Sequence, residues 1–143
     1  MPADEIFGRV QRTVETPDGA SINYVDEGEG EAVLLLHGYP QSHLIWRHQI
    51  GPLSRTHRVI APDGAGWGRS GRRPDLRYDY KTEVQRLTAF TNAIGLEHFN
   101  LVGHDYGGYL ALGLRMAHSE KILRLAILNS RAHLTFPSRW VWC

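Results

Sequence analysis

A chain of 143 residues, 42% hydrophobic and 22% charged, has the size of one domain and can bury a core. Its 16 basic and 15 acidic residues leave a formal charge of +1, which offers no general grip on nucleic acid or on an anionic membrane surface. The apolar run at 32–36 is far too short to span a bilayer, residues 1–12 lack the apolar stretch of a secretory signal, and the single cysteine, Cys143, has no partner for an internal disulfide. A cytoplasmic protein organised as one domain over residues 1–143 is the expectation.

Residues 9–15 alternate loosely and predict an edge strand. Thr16-Pro17-Asp18-Gly19 is a turn signal, and residues 20–27 form the second strand of the hairpin. Ala32-Val33-Leu34-Leu35-Leu36 is apolar without alternation, the pattern of a strand covered on both faces. Residues 44–54 predict a helical stretch interrupted at Gly51-Pro52, and residues 58–61 a second buried strand. Asp63 opens a glycine-rich loop through Ser70. The loop lacks the lysine of a phosphate-binding loop and the dinucleotide-binding spacing, so a structural turn is favoured over a phosphate site. Arg69, Arg72, Arg73 and Arg77 sit among glycines and prolines and read as a solvated loop before a phosphate or partner site.

Tyr80, Val84, Leu87, Phe90 and Ile94 recur at helical spacing, with Lys81, Glu83, Gln85 and Arg86 between them, and Gly95 stops the helix. Residues 99–102 predict a third strand, 109–118 a helix rich in small residues, and 123–128 a fourth buried strand. A hairpin followed by alternating strands and helices predicts an α/β fold, a mainly parallel sheet with helices on both faces. Ligands gather at the carboxyl ends of such strands, where His37, Asp63 and Asp105 fall.

Gly103-His104-Asp105-Tyr106-Gly107-Gly108 follows a strand and opens a helix, with an acid at the centre of a Gly-x-nucleophile-x-Gly frame. A sharp strand-to-helix turn needs small neighbours at 103 and 107 and pushes the central side chain out above the sheet, facing a helix N-terminus that favours negative charge. Asp105 is then either a nucleophile or a helix N-cap, aspartate being favoured in both positions. His37-Gly38-Tyr39-Pro40 ends a buried strand. It is either a plain strand-ending turn or the loop that supplies a second backbone donor to such a site, with Gly38 allowing close approach and Pro40 admitting a cis bond after Tyr39.

The ordered set His37-Gly38-Tyr39-Pro40, Asp63-x-x-Gly66-x-Gly68-x-Ser70 and Gly103-His104-Asp105-Tyr106-Gly107-Gly108 resembles the α/β-hydrolase family. Within it the set looks like the branch of epoxide hydrolases and haloalkane or haloacid dehalogenases. The likeness runs over residues 9–129. It implies a three-layer α/β-hydrolase core, no cofactor, no metal and a small-molecule substrate. It also implies a two-step displacement: the Asp105 carboxylate attacks an electrophilic carbon to form an alkyl-enzyme ester, which a histidine-activated water then hydrolyses. The backbone N–H groups of Tyr39 and Tyr106 would form the oxyanion hole, and His104 would be structural, as would His37, Gly38, Pro40, Gly103, Gly107 and Gly108.

Relatives that act on small haloacids carry arginines at the positions of Tyr106 and Tyr109, and their absence here, with an aromatic residue at 39, favours an epoxide. In the family a helical cap and later strands bearing the acid and base follow the point where this chain stops, so the expectation is an N-terminal half lacking both. Its alternatives are a non-catalytic ligand- or partner-binding domain, or one fragment of a two-chain enzyme completed by a homo-oligomer partner or a C-terminal fragment.

Overall fold

A computed structural model describes residues 5–131; the expectations that fall on His133 and Cys143 lie outside the described residues. A short hairpin, β1 (Glu5–Ile6) and β2 (Arg9–Val10), precedes the main sheet. That sheet contains β3 (Arg12–Glu15), β4 (Ser21–Glu27), β5 (Ala32–Leu36), β6 (Arg58–Pro62), β7 (Phe99–His104) and β8 (Ile122–Leu128) in the order β3-β4-β6-β5-β7-β8. The β3–β4 hairpin lies antiparallel along one edge, and β6, β5, β7 and β8 run parallel. The expected strand at 9–15 is therefore two pieces, because Gln11 breaks the register between the small hairpin and the sheet.

The run of apolar residues in β5 is explained by the layers on its two sides. Leu34 and Leu36 join a core with Ile22, Phe90 and Leu114, whereas Val33 and Leu35 join a second core with Trp46 and Ile50. Strand side chains alternate between faces, so a strand covered on both needs apolar residues at every position. The first core is closed by α2 (Tyr80–Ala93) and α3 (Tyr106–Ala117), and the second by α1 (Arg47–Leu53) and the 3₁₀ turn before it (His43–Trp46). Asp79 caps α2, accepting from the Thr82 N–H at 3.1 Å. No helix among the described residues is long and apolar enough to cross a membrane.

Two expectations are corrected. The stretch at 44–54 changes from 3₁₀ to α at Trp46–Arg47, not at Gly51-Pro52. Pro52 lies inside α1 near its end, where the missing N–H removes one bond and the Ser54 N–H still reaches the Ile50 carbonyl at 2.8 Å. And β8 is not buried: Leu123 and Leu128 are 48% and 43% exposed, since β8 is the edge strand and no described element covers its outer side. The arginine loop is solvated as expected. Arg72, Arg73 and Arg77 are exposed, with Arg73 paired to Asp75 at 2.6 Å and Arg77 to Asp79 at 3.1 Å.

Candidate active site

Asp105 stands at the turn from β7 into α3 with φ 53° and ψ −120°, a conformation that costs a non-glycine residue on the order of 1–3 kcal/mol. The surroundings hold it there. Its N–H donates to the Leu128 carbonyl at 3.0 Å, and its carbonyl accepts from the Gly108 N–H at 3.0 Å and the Ser130 hydroxyl at 2.6 Å. The glycines of the frame are required by contact. A Cβ on Gly103 would lie 2.4 Å from the Gly107 carbonyl oxygen, and one on Gly107 would lie 2.4 Å from the backbone of Leu36 and His37.

The N-cap alternative for Asp105 is removed by its side chain, which makes no capping bond to α3. One carboxylate oxygen, Oδ1, instead accepts from the Tyr39 N–H at 2.8 Å. Gly38 makes this approach possible, since a Cβ there would stand 2.4 Å from the Asp105 Cβ. The Tyr39–Pro40 bond is cis, and the Tyr39 ring packs edge-on against Trp67 with centroids 5.3 Å apart. So the two loops the sequence singled out converge on one carboxylate.

The third loop supports them. The Gly64 N–H donates to His37 Nε2 at 2.9 Å, so Nε2 carries no proton, and His37 Nδ1 donates to the Gly38 carbonyl at 2.9 Å. Burial pushes the His37 pKa down, in keeping with this neutral tautomer. Asp63, fully buried, accepts from the His43 backbone N–H at 2.7 Å, His43 Nδ1 at 2.8 Å, the Arg69 N–H at 2.8 Å and Asn23 Nδ2 at 3.1 Å. Burial alone would raise the Asp63 carboxyl, but the hydrogen bonds from His43 and from the Arg69 amide outweigh it and hold the pKa below the ordinary range. The glycine-rich loop is therefore a structural turn wound around Asp63, as the sequence favoured. His104, on β7, keeps Nδ1 buried without a hydrogen-bond partner among the described residues.

A pocket lined by Gly38, Tyr39 and Tyr106, though not by Asp105 itself, opens between the ends of β5 and β6 and the helices α2 and α3. Leu36, Leu87, Leu110 and Trp67 line it, with His37, Tyr39, Glu83 and Tyr106 supplying its polar groups. Glu83 is 9% exposed, and the Tyr106 phenol donates to its carboxylate. Burial pushes the Glu83 pKa up, and burial together with the neighbouring Glu83 drives the Tyr106 phenol far above its usual value. Sequence reading missed Glu83 by placing it among the polar spacers of α2. Its signal was positional: 83 lies three residues after Tyr80 and four before Leu87, on the stripe that faces inward. Among the described residues no cluster of three or more His, Cys, Asp or Glu is placed to hold a metal.

A family model described as alpha/beta hydrolase fold matches residues 31–140. The chain is 36% identical over 118 residues to a cis-3-alkyl-4-alkyloxetan-2-one decarboxylase of Shewanella oneidensis, covering 80% of this chain and 37% of the relative. It is 38% identical over 111 residues to a haloalkane dehalogenase of Mesorhizobium japonicum, covering 77% of this chain and 36% of the relative. Among solved structures, an epoxide hydrolase of Vigna radiata superposes with a TM-score of 0.84 at 32% identity, covering 93% of this chain and 42% of that one. The chain thus spans well under half the length of these proteins.

Proposed function

The chain belongs to the alpha/beta hydrolase fold family, and from that premise we propose that it carries the ester-forming half of an aspartate-nucleophile hydrolase. Asp105 attacks an epoxide, or less favourably an alkyl halide. The observation that carries this reading is the Asp105 carboxylate: it sits on a strained turn, leaves its helix uncapped and is held by the Tyr39 amide. A carboxylate is ionised at neutral pH and needs no neighbouring base to attack. Attack converts it to an alkyl ester. When that ester is hydrolysed, its carbonyl oxygen gains charge that backbone donors at roughly 2.7–3.1 Å would stabilise; the Tyr39 amide already donates to this carboxylate at 2.8 Å, and the Tyr106 amide is assigned as the second donor. A small-molecule substrate is in keeping with the proteins it resembles, a haloalkane dehalogenase and an epoxide hydrolase among them.

Hydrolysis of the ester needs a group that takes a proton from water, and such help is worth roughly 10²–10⁴-fold. Among the described residues the histidine lining the pocket is His37, and both of its ring nitrogens are committed, one to the Gly64 amide and one to the Gly38 carbonyl. The 143-residue chain should therefore react once with an epoxide and stop. Mass spectrometry after digestion is expected to show one persistent adduct on the peptide holding Asp105, and Asp105→Asn should form none on that peptide, any adduct on the Cys143 thiol being set aside. Repeated turnover by the chain, or a folded chain that takes up no adduct, would overturn this reading.

A further inference from the structure

The helix that begins at Tyr106 is gripped at its first turn by a matched pair of hydrogen bonds. From the first turn of α2, the Tyr80 phenol donates to the Tyr109 carbonyl at 3.1 Å. From the first turn of α3, the Tyr106 phenol donates back to the Glu83 carboxylate. Three residues separate 80 from 83 and 106 from 109, so each pair lies on one stripe of its helix. The Tyr80 and Tyr109 rings pack together with centroids 4.2 Å apart. Gly113 leaves room for the Tyr80 phenol, since a Cβ there would stand 2.4 Å from its oxygen. Burial pushes the Glu83 pKa up, while the Tyr106 hydrogen bond and the charge of Arg86 pull it down. Apolar side chains would join two helices with less desolvation, but they do not fix the rotation of one helix against the other as directional bonds do.

We propose that Glu83 and Tyr80 are positioning residues: they fix the rotation of α3 at its first turn and so aim the Tyr106 amide at the oxyanion formed on the Asp105 ester. This rests on the reading of Asp105 as the nucleophile and of the Tyr106 amide as the second donor. Glu83 acts at one remove, through the residue that follows Asp105, and takes no part in bond making or breaking.

The strain at Asp105 is what makes such a clasp matter. A residue at φ 53° keeps that conformation only while its surroundings hold it. On the sheet side the Leu128 carbonyl holds the Asp105 amide, and the Ser130 hydroxyl holds its carbonyl. On the helix side the Gly108 amide holds the same carbonyl at 3.0 Å, and the clasp from α2 holds the turn that Gly108 belongs to. If α3 turned about its axis, the peptide joining 105 and 106 would tilt with it. An N–H donor weakens steeply once its angle falls below about 120°, so a tilt costs the donor before it costs the fold. The two chemical steps respond differently. In the first, the Asp105 carboxylate attacks carbon and loses charge, so a well-aimed amide gives no acceleration. In the second, a nucleophile adds to the ester carbon and the carbonyl pair moves onto the oxygen, where the amide's aim decides the rate.

The test separates the two steps in the 143-residue chain. The Asp105 adduct is formed with 1,2-epoxyhexane, excess epoxide is removed, and the ester is cleaved with hydroxylamine in place of activated water. The hydroxylamine nitrogen adds to the ester carbon. The carbonyl then re-forms as the bond to the alkyl oxygen breaks, and that oxygen leaves with the proton the nitrogen gives up. Residue 105 becomes a hydroxamate, read with the adduct by mass spectrometry after digestion. The ratio of cleavage rate to formation rate is expected to fall about 10-fold in Glu83→Leu, a misaimed donor costing less than the roughly 10²–10³-fold of a removed one. Glu83→Gln keeps an acceptor for the Tyr106 phenol and should restore the ratio. Tyr80→Phe deletes one hydroxyl from a half-buried ring and should lower the same ratio by a smaller factor, which keeps the test open should Glu83→Leu fail to fold. A merely structural role slows both steps alike, so a ratio that stays constant in the folded variants would overturn the positioning role while leaving Asp105 as nucleophile. A ratio as low in Glu83→Gln as in Glu83→Leu would overturn it as well. Absence of an Asp105 adduct in the unchanged chain would overturn the nucleophile reading, and the positioning role with it.

Discussion

His37 shows how one side chain joins sequence-level and structural arguments. In the folded chain it is neutral, because protonating Nε2 would lose the bond from the Gly64 amide and place a charge where water is scarce. In the unfolded chain it titrates near pH 6.5. Below that pH the unfolded state binds a proton that the folded state resists, so stability is full above about pH 6.5 and declines as pH falls toward the lowered folded pKa. Thermal melts between pH 7.5 and 5.5 should show this loss. His37→Gln, which offers Gly64 an acceptor that does not titrate, should flatten the slope in that window; an unchanged slope would count against it. Gly38 makes a steric prediction. Gly38→Ala puts a methyl 2.4 Å from the Asp105 Cβ and 2.7 Å from Oδ1, which should cost about 1–3 kcal/mol in urea unfolding and slow adduct formation on Asp105. At this scale most of the site was legible. The frame around Asp105 and the loop at His37-Gly38-Tyr39-Pro40 are local patterns, readable because a sharp turn restricts which residues fit. Glu83 was not legible, because a glutamate in a helix is exposed in most settings, and only the position of α3 shows that this one faces Tyr106.

Elements were legible where their pattern is imposed from both sides. The apolar run of β5 announced two covering layers, and the stripe of α2 announced a helix. What escaped was how elements are tied together. Arg86, read as a polar spacer, is 5% exposed and reaches back to Asp18 in the β3–β4 turn, with its guanidinium carbon 5.7 Å from the centre of the Tyr78 ring. Sixty-eight residues separate the pair, so no local pattern could show it. Burial opposes the charge on Asp18, yet bonds from Arg86, Thr16 and the Ala20 amide prevail and hold its pKa below the usual range. Asp18→Asn should destabilise the chain by roughly 1–3 kcal/mol, since it leaves a buried guanidinium without its carboxylate, and Arg86 Nη1 already lacks a partner among the described residues. Arg86→Met should cost less than Asp18→Asn, because removing the cation leaves only a partly exposed carboxylate behind. The double variant should be more stable than the sum of the two single losses predicts, as read from chemical denaturation of all four chains.

For the whole molecule, the edge formed by β8 is decisive. An apolar strand was read from residues 123–128 and a strand is there, but burial on both faces did not follow. A strand's composition does not reveal whether a neighbour lies beyond it. Among the described residues β8 pairs with β7 on one side and with nothing on the other, leaving Leu123 and Leu128 48% and 43% exposed beside an open row of backbone groups. Unpaired edges and exposed apolar side chains both favour association, one through strand pairing and the other through burial worth about 25 cal/mol per Å². Charge offers little opposition, since the chain carries a net charge of only +1. The 143-residue chain is therefore expected to elute from a sizing column as a dimer or larger species, with apparent size rising with concentration. Lysine at both positions, Leu123→Lys with Leu128→Lys, places charge on the edge and should shift the chain toward monomer. Both side chains are substantially exposed, so this change should leave the melting temperature of the monomer nearly unaltered. A concentration-independent monomer in the unchanged chain would show that the β8 edge is covered from within the same molecule. Association that persists undiminished in the double lysine variant would place the contact elsewhere on the surface.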